Sequence, residues 1–287
     1  MKPDVTAFFD EATATVTYVV ADPETHRAAI IDAVTDYDPA SGTVSRQSAD
    51  RVSEFVASHG LTVEWVLDTH AHADHLTATS YLRDKLGVKS GIGEHIADIQ
   101  AHWRTVFDMP YVAADGTPYD RLFRDGDTFS IGKLEARVIH TPGHTAADCT
   151  YVIGNAAFVG DTLFMPDYGT ARTDFPGGDA QTLYASIGKI LALPGSTRVF
   201  VCHDYLPETR KDIRWESTVA EQRTSNKHAH EGVSEEEFVK LREERDAKLG
   251  SPRLLFPSLQ VNIRGGHLPE PEENGAVYLK TPVREAS

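Results

Sequence analysis

Cysteine is scarce in this chain, which has only Cys149 and Cys202 among its 287 residues. Two thiols are too few for a disulfide framework or a structural zinc cluster. Each lies in an apolar, strand-like run, so both are expected to be buried as small hydrophobic side chains. A reducing compartment suits such a protein, and the cytoplasm is the expected location.

Long apolar runs and an excess of positive charge are also missing. No apolar stretch approaches the roughly 20 residues that span a bilayer, so no membrane partner is expected. Residues 1–5 (MKPDV) lack the charged and apolar regions of a signal peptide. The net charge of −15 would repel a phosphate backbone, and no basic patch is evident in the sequence. We therefore expect no nucleic-acid partner.

The remaining composition is that of an ordinary globular protein. Hydrophobic residues make up 40% of the chain and charged residues 25%, which are normal values for a soluble domain. A chain of 287 residues can bury a substantial core. We expect one large domain over residues 1–287.

Residues 69–75 (THAHADH) carry the strongest chemical signal. They place four metal-ligating side chains within six residues, in the pattern H-x-H-x-D-H: His70, His72, Asp74 and His75. Imidazole and carboxylate ligands suit zinc, iron and manganese. Residues 62–68 before them resemble a strand, and residues 76–86 after them resemble a helix. The ligands are therefore expected at the carboxyl end of a strand, where α/β proteins usually place their chemistry.

Three later segments each end an apolar run with a further ligand. Residues 136–140 lead to His144, residues 156–160 to Asp161, and residues 198–202 to His203. With the first motif this makes seven ligands, enough for two metal ions. In that arrangement Asp161 bridges one ion held by His70, His72 and His144 and another held by Asp74, His75 and His203.

Periodicity and turn residues predict the surrounding elements. Residues 165–179, rich in glycine and proline, are expected to form a binding loop beside the site. The tail from residue 252 has five prolines and is expected to pack as an extended arm, anchored by its apolar residues. Strands are expected at residues 13–20 and 27–31, and helices at 47–58, 77–85, 94–107, 180–191, 218–227 and 234–249, the last opening with a capping box.

Taken in this order, the ligands resemble those of the metallo-β-lactamase fold superfamily. The resemblance covers roughly residues 5–205. It implies an α/β fold, the metallo-β-lactamase αββα sandwich, with a short helical and extended C-terminal extension at about residues 206–287. Thioesterases, lactonases, nucleases and dioxygenases share this motif set, so the motifs alone leave the reaction open.

A finer resemblance is to the persulfide dioxygenase (sulfur dioxygenase) branch and its bacterial β-lactamase hydrolase-like members. It rests on residues 69–77 (THAHADHLT), 141–145 (TPGHT) and 160–163 (GDTL), and above all on 172–175 (RTDF) and 202–205 (CHDY). The glyoxalase II branch tends to have an aromatic-Glu-Gly segment after the arginine and ends its last motif with His-Glu-Tyr. Animal persulfide dioxygenases have Cys-Gly before the arginine, whereas this chain has residues 168–171 (YGTA).

The resemblance implies one Fe(II) per chain, held by His70, His144 and Asp161 as a two-histidine, one-carboxylate triad. The other four ligands would hydrogen-bond to the metal-binding side chains and to bound water. A small-molecule thiol persulfide, such as glutathione persulfide, would react with O2 to give sulfite and thiol. By analogy alone, a homodimer and a rhodanese-like sulfur transferase of the same pathway are further expected partners.

The expected catalytic set comprises Asp74, His75, Arg172 and Tyr205. Arg172 is expected either to bind a carboxylate of the thiol or to pair with a nearby aspartate, and Tyr205 either to face the metal or to fill the core. The alternative is a hydrolase of the glyoxalase II type with two Zn(II), acting on a glutathione thioester through a bridging hydroxide. A catalytically silent metal or oxygen sensor is the non-enzymatic alternative.

Overall fold

The computed structural model describes residues 1–283 and 285. The strands, in chain order, are β1 (Asp4–Asp10), β2 (Thr15–Ala21), β3 (Arg27–Ile31), β4 (Val34–Asp38), β5 (Thr43–Ser45), β6 (Thr62–Leu67), β7 (Leu76–Thr77), β8 (Lys89–Gly93), β9 (Arg121–Phe123), β10 (Thr128–Ile131), β11 (Leu134–His140), β12 (Cys149–Ile153), β13 (Ala156–Phe158), β14 (Arg198–Phe200) and β15 (Glu216–Thr218). The helices are α1 (Gln47–Ser58), α2 (Thr79–Leu86), α3 (Ile96–Val106), α4 (Ala180–Leu191), α5 (Val219–Ser225), α6 (Glu235–Asp246) and α7 (Leu255–Asn262).

Two six-stranded sheets form the centre of the molecule. The first has the order β1-β2-β3-β6-β8-β9, and the second has the order β10-β11-β12-β13-β14-β15. Strands β3, β6, β8 and β9 are parallel to one another. A small third sheet, β5-β4-β7, lies beside them. The chain passes from the first sheet to the second at about residue 125.

The two large sheets face each other across an apolar core. Strand β2 shows how the sequence builds it, because alternate side chains of a strand point to opposite faces. Val16, Tyr18 and Val20 pack in a cluster with Tyr151 and Phe158 of the second sheet. Val19, between them, belongs to a cluster on the other face. Burial on both faces explains why β2 is a short run in which every residue is buried.

Helices cover the outer face of each sheet. The apolar stripe of α1 and part of α2 pack on the first sheet through Val52, Val56 and Leu82. On the second sheet, α4, α5 and α6 contribute Leu183, Ile187, Ile190, Val219 and Phe238. The layers therefore run helix, sheet, sheet, helix, as the αββα prediction requires. Among the described residues no helix is both long and apolar enough to cross a membrane.

Several predicted elements are confirmed, and two predictions are wrong. Helices α1 and α4 begin and end at the predicted residues, and Ser234 with Glu237 forms the predicted capping box of α6. The helix expected from residue 76 or 77 instead begins at Thr79, because Leu76 and Thr77 form β7 and pair with β4. The tail from residue 252 is not simply an extended arm, since residues Leu255–Asn262 form α7.

Candidate metal centre

The seven predicted ligands converge where strands of both sheets end. The H-x-H-x-D-H segment follows β6, His144 lies in the loop after β11, Asp161 follows β13, and His203 follows β14. Strands β11, β13 and β14 run in the same direction, because β12 is antiparallel to both β11 and β13, and β14 is parallel to β13. Their carboxyl ends therefore deliver ligands to one edge of the second sheet.

Two glycines permit this close convergence. Gly143, before His144, has a φ of +136°, and a Cβ there would lie 2.4 Å from the Leu183 backbone in α4. Gly160, before Asp161, has a φ of +53°, and its Cβ would lie 2.8 Å from the Thr69 hydroxyl. A side chain at either position would push a ligand loop away from its neighbour, so the sequence needs glycine before each of these ligands.

One group of ligands consists of His70, His144 and Asp161. Their donor atoms lie within 4.8 Å of one another, and all three side chains are buried. Asp161 Oδ2 is 3.5 Å from His144 Nε2 and 4.0 Å from His70 Nε2. Two imidazoles and one carboxylate on one side of an ion leave its other positions open for substrates.

A second group consists of His72, Asp74, His75 and His203, again with donor atoms within 4.8 Å of one another. Asp74 Oδ2 is 3.3 Å from His75 Nδ1 and 3.4 Å from His203 Nε2. Asp161 connects the two groups, because its Oδ1 is 3.3 Å from His203 Nε2 while its Oδ2 faces the first group. This placement suits a carboxylate that bridges two ions as well as one that binds a single ion beside His203.

In two of the histidines, one ring nitrogen donates a hydrogen bond and leaves the other nitrogen free to bind a metal. His144 Nδ1 donates to the Arg172 carbonyl at 2.8 Å, which leaves the lone pair on Nε2. His72 Nε2 donates to Asp32 Oδ1 at 3.1 Å, which leaves the lone pair on Nδ1. Such contacts orient ligating rings and select their tautomer.

The inner atoms of the site have no hydrogen-bond partner. Leaving a polar atom buried without a partner costs about 1–3 kcal/mol, and several such atoms in one place indicate a bound cation. Within the described residues, the unpartnered buried atoms at the site include His70 Nε2, His72 Nδ1, His75 Nε2, His203 Nε2 and Asp161 Oδ1. The residues present therefore fit a metal ion.

Burial also keeps the site in the protonation state that a metal needs. It lowers the pKa of His70 and His72 well below the usual histidine value, and neighbouring histidines lower both further. Burial lowers the pKa of His144 to about 4. The pKa of Asp161 is raised well above its usual value, by burial first and then by Asp74. Neutral imidazoles bind metals directly, and a cation would take the place of the Asp161 proton.

A cavity of about 360 Å³ opens onto the site and touches Asp74, His144 and Asp161. Aromatic side chains line it: Phe164, Tyr168, Phe175 and Tyr205. Tyr205 stacks on His203, with ring centroids 5.4 Å apart and planes 14° apart. Its position is therefore on the cavity wall beside a ligand rather than in the core.

Arg172 also lines the cavity, but its guanidinium is already engaged. Both Nε and Nη2 donate to Asp174 at 2.6 Å, and Nη1 donates to the Gly250 carbonyl at 2.7 Å. Of the two expectations for this residue, the structure shows the pairing with a nearby aspartate. Three more arginines reach the cavity from the C-terminal extension: Arg242, Arg245 and Arg253.

Sequence reasoning missed two residues that support the metal loop. Asp32 is buried and accepts hydrogen bonds from the Thr69 backbone at 2.7 Å as well as from His72. It ends a buried strand just as Asp161 does, and that pattern could have identified it. Asn262 of α7 contacts the same loop, and no local signal marks it.

The chain is similar to several known proteins. Residues 11–203 match the family model described as the Metallo-beta-lactamase superfamily. The chain is 55% identical over 281 residues to the beta-lactamase hydrolase-like protein of Agrobacterium fabrum, covering 98% of this chain but only 65% of that protein. It is 45% identical to Glyoxylase B2 of Dictyostelium discoideum, covering 98% of this chain and 97% of that one.

A more distant relative carries the name of the predicted activity. The mitochondrial persulfide dioxygenase ETHE1 of Bos taurus is 31% identical over 261 residues, which cover 90% of this chain and 87% of that protein. The crystal structure of ETHE1 from Myxococcus xanthus superimposes with a TM-score of 0.75 at 30% identity, covering 92% of this chain and all of the other.

Proposed function

The chain belongs to the metallo-beta-lactamase superfamily, and we propose that within it the protein is a persulfide dioxygenase. The proposed reaction combines a thiol persulfide, O2 and water to give the free thiol, sulfite and two protons. The terminal sulfur is oxidised, O2 is reduced, and the S–S bond breaks. One Fe(II), held by His70, His144 and Asp161, would supply the electron chemistry when bound.

The observation that carries this proposal is the compact group of two imidazoles and one carboxylate formed by His70, His144 and Asp161. Such a set suits one iron and leaves positions open for O2 and substrate. The resemblance to proteins named persulfide dioxygenase agrees with the triad.

The residues around the triad would bind the persulfide and orient the water that the reaction consumes. Aromatic side chains supply an apolar wall against which the persulfide can pack. Asp74 lies on the cavity and touches two histidines. Burial raises its pKa, but His203 and His75 outweigh burial and hold the pKa well below the usual value, so we assign this carboxylate the role of accepting a hydrogen bond from bound water. His75 holds Asp74 in place.

The carboxylates of a glutathione-like thiol are proposed to bind at the outer end of the cavity. Arg172 is engaged with Asp174, and Arg242 forms an ion pair with Asp246. Arg245 and Arg253 form no ion pair with any described residue. Two guanidinium groups without an ion-pair partner among the described residues suit a substrate with two carboxylates, so we assign the orienting role to this pair rather than to Arg172.

A two-zinc hydrolase acting on a glutathione thioester remains the second candidate. Asp161 favours it, because its two oxygens face the two ligand groups as a bridging carboxylate does. The similarity to Glyoxylase B2 of Dictyostelium discoideum points the same way.

Elemental analysis distinguishes the two proposals. Protein produced with both iron and zinc supplied should contain about one iron per chain, and the anaerobically iron-loaded protein should consume O2 with glutathione persulfide. About two zincs per chain, with hydrolysis of S-lactoylglutathione and no O2 uptake, would overturn the dioxygenase.

Substitution provides an independent test of the number of metal ions. In the one-iron case, Asp74→Ala and His203→Ala should lower activity and spare most of the iron. In the two-zinc case, each should remove one metal per chain. His144→Ala is the control, because it removes a ligand in both cases.

A cytoplasmic location is proposed from the state of the two cysteines. Cys149 and Cys202 are both buried and unpaired, which suits a reducing cytoplasm. A homodimer and a rhodanese-like sulfur transferase in the same pathway also stay proposals.

A further inference from the structure

One buried side chain of the C-terminal extension forms three hydrogen bonds with the loop that carries the H-x-H-x-D-H motif and with the strand that follows it. Asn262, the last residue of α7, is almost fully buried. Its Nδ2 donates to the His72 carbonyl at 2.7 Å and to the His75 carbonyl at 2.8 Å. Its Oδ1 accepts from the Thr77 backbone N–H at 2.8 Å. Three hydrogen bonds thus connect one amide to both sides of Asp74.

The loop needs such a partner because it has no regular secondary structure between β6 and β7. Its carbonyl groups are buried and cannot rely on water. Ala71 and Ala73, which alternate with the candidate ligands, join an apolar cluster with Leu259 and Ile263. The loop is therefore packed against α7 through these alanines as well as hydrogen-bonded to it.

The chain after α7 is fixed to the same region. The Gly265 carbonyl accepts from the Ser80 backbone N–H at 3.0 Å. Gly266 passes so close that a Cβ there would lie 2.7 Å from the Thr77 carbonyl. These contacts hold the end of α7 against β7 and α2, so the Asn262 amide has little freedom to move.

We propose that Asn262 is a positioning residue of the metal centre, through which the C-terminal extension sets the geometry of His72, Asp74 and His75. An amide suits this position, because it offers two donors to the two carbonyls and an acceptor to the N–H. An aspartate of the same shape has no donor and would place negative charge against both carbonyls. The inference requires only that the loop binds metal, and the loop supplies His70 to the metal in either proposed reaction.

Gln260 offers a matched control on the same helix. It is equally buried, and its Nε2 donates to the carbonyls of Phe256 and Lys280 while its Oε1 accepts from the Lys280 N–H. Asn262→Asp and Gln260→Glu therefore make the same chemical change in the same helix. Only the first acts on the metal loop, because Gln260 holds the C-terminal tail.

The experiment measures metal release into a strong colorimetric chelator from the iron-loaded and zinc-loaded full chains. Asn262→Asp should speed release about 10- to 100-fold, the range typical for lost support of a ligand, and should alter the electron paramagnetic resonance spectrum of the Fe(II)–nitric oxide adduct. Gln260→Glu should leave both unchanged even where it lowers the melting temperature.

Equal release rates and spectra for Asn262→Asp, Gln260→Glu and the wild type would overturn the proposal. If Asn262→Asp does not fold, Asn262→Ser is used with the same readouts, together with amide exchange at Thr77, which should rise. Faster metal release from the Asn262 variant would support the positioning role. O2 consumption by the iron-loaded wild type with glutathione persulfide tests the proposed reaction separately.

Discussion

Removing Arg245 and Arg253 should weaken the binding of glutathione persulfide without disturbing the metal. Both side chains are exposed at the outer end of the cavity, and neither has an ion-pair partner among the described residues. The protein as a whole carries a net charge of −15, so attraction for a dianionic thiol must come from local cations. Each arginine is replaced by alanine, singly and together.

The size of the effect follows from the exposure of the two guanidinium groups. Exposed ion pairs contribute about 0.2–1 kcal/mol each, and 1.4 kcal/mol corresponds to a tenfold change in affinity. Each single substitution should therefore raise KM about 1.4- to 5-fold, and the double substitution about 2- to 25-fold. The difference from wild type should shrink at 1 M salt, where the Debye length is about 3 Å.

The assay is O2 uptake by iron-saturated protein as the persulfide concentration varies. Glutathione persulfide is compared with the persulfide of cysteamine, which has no carboxylate and should show no change in KM. Arg51→Ala is the control, because it removes one exposed arginine of α1 and so changes the net charge equally at a distance.

The reasoning is refuted if the double variant binds both persulfides as the wild type does, or if Arg51→Ala has the same effect. A fall in iron content would also refute it, since neither arginine belongs to a ligand group. If Arg172→Ala greatly raised KM for glutathione persulfide but not for cysteamine persulfide, the orienting role would belong to Arg172.

Two further predictions concern stability. Asp246→Ala leaves the buried guanidinium of Arg242 without its carboxylate, so the free energy of unfolding in urea should fall by about 3–5 kcal/mol. Exposed Glu243→Ala in the same helix should change it by less than about 0.5 kcal/mol, and equal effects would contradict the account. Burial, followed by the charge of Arg242, lowers the pKa of His228 to about 3. Because unfolded histidine binds its proton near pH 6.5, this residue should reduce stability as the pH falls from about 6.5 towards 3, by at most about 1.4 kcal/mol per pH unit. His228→Asn keeps an acceptor for the Thr170 N–H but cannot titrate. The free energies of unfolding in urea of the metal-free variant and the metal-free wild type should therefore diverge between pH 6 and pH 4. Parallel pH dependences would contradict the assignment.

Local sequence patterns were sufficient to predict the elements whose apolar stripe and capping residues all lie within a short stretch of the chain. Helix α4 has an apolar stripe that packs on the second sheet, and its N-cap Asp179 accepts from the Thr182 backbone. Both features are legible in the sequence, and the predicted bounds are correct. The capping box at Ser234 is equally local, since its two hydrogen bonds join residues three positions apart.

Helix α7 lies in the proline-containing tail that was predicted as an extended arm, and its proline stands where a helix tolerates one. Pro257 is the third residue of the helix, and an N–H in the first turn has no intrahelical partner, so its absence costs nothing there. The apolar residues expected to anchor an extended arm do pack, but several do so as one face of this helix. Leu259, for example, joins the cluster under the metal loop.

Strand β7 and the supports of the metal loop depend on distant partners. Thr77 pairs with Val34, and Asn262 reaches the loop from 185 residues away along the chain. No window of sequence contains both members of such a pair. Spacing along the chain therefore indicates candidate metal ligands, whereas a support supplied by a distant element, such as Asn262, leaves no local signal.

The number of bound metal ions would decide which nitrogen of His203 carries a proton, and the hydroxyl of Thr15 lies beside that histidine. The hydroxyl oxygen of Thr15 lies 3.2 Å from His75 Nδ1, 3.4 Å from His203 Nδ1 and 3.4 Å from Asp74 Oδ2. Two ions require both imidazoles to bind through Nε2, so both Nδ1–H groups would donate to this hydroxyl, which would donate to Asp74. A single ion at the triad lets His203 keep its proton on Nε2, facing Asp161 Oδ1 at 3.3 Å, and the Thr15 hydroxyl then donates to His203 Nδ1. The same seven side chains serve both arrangements, and what differs is the nitrogen of His203 that carries the proton.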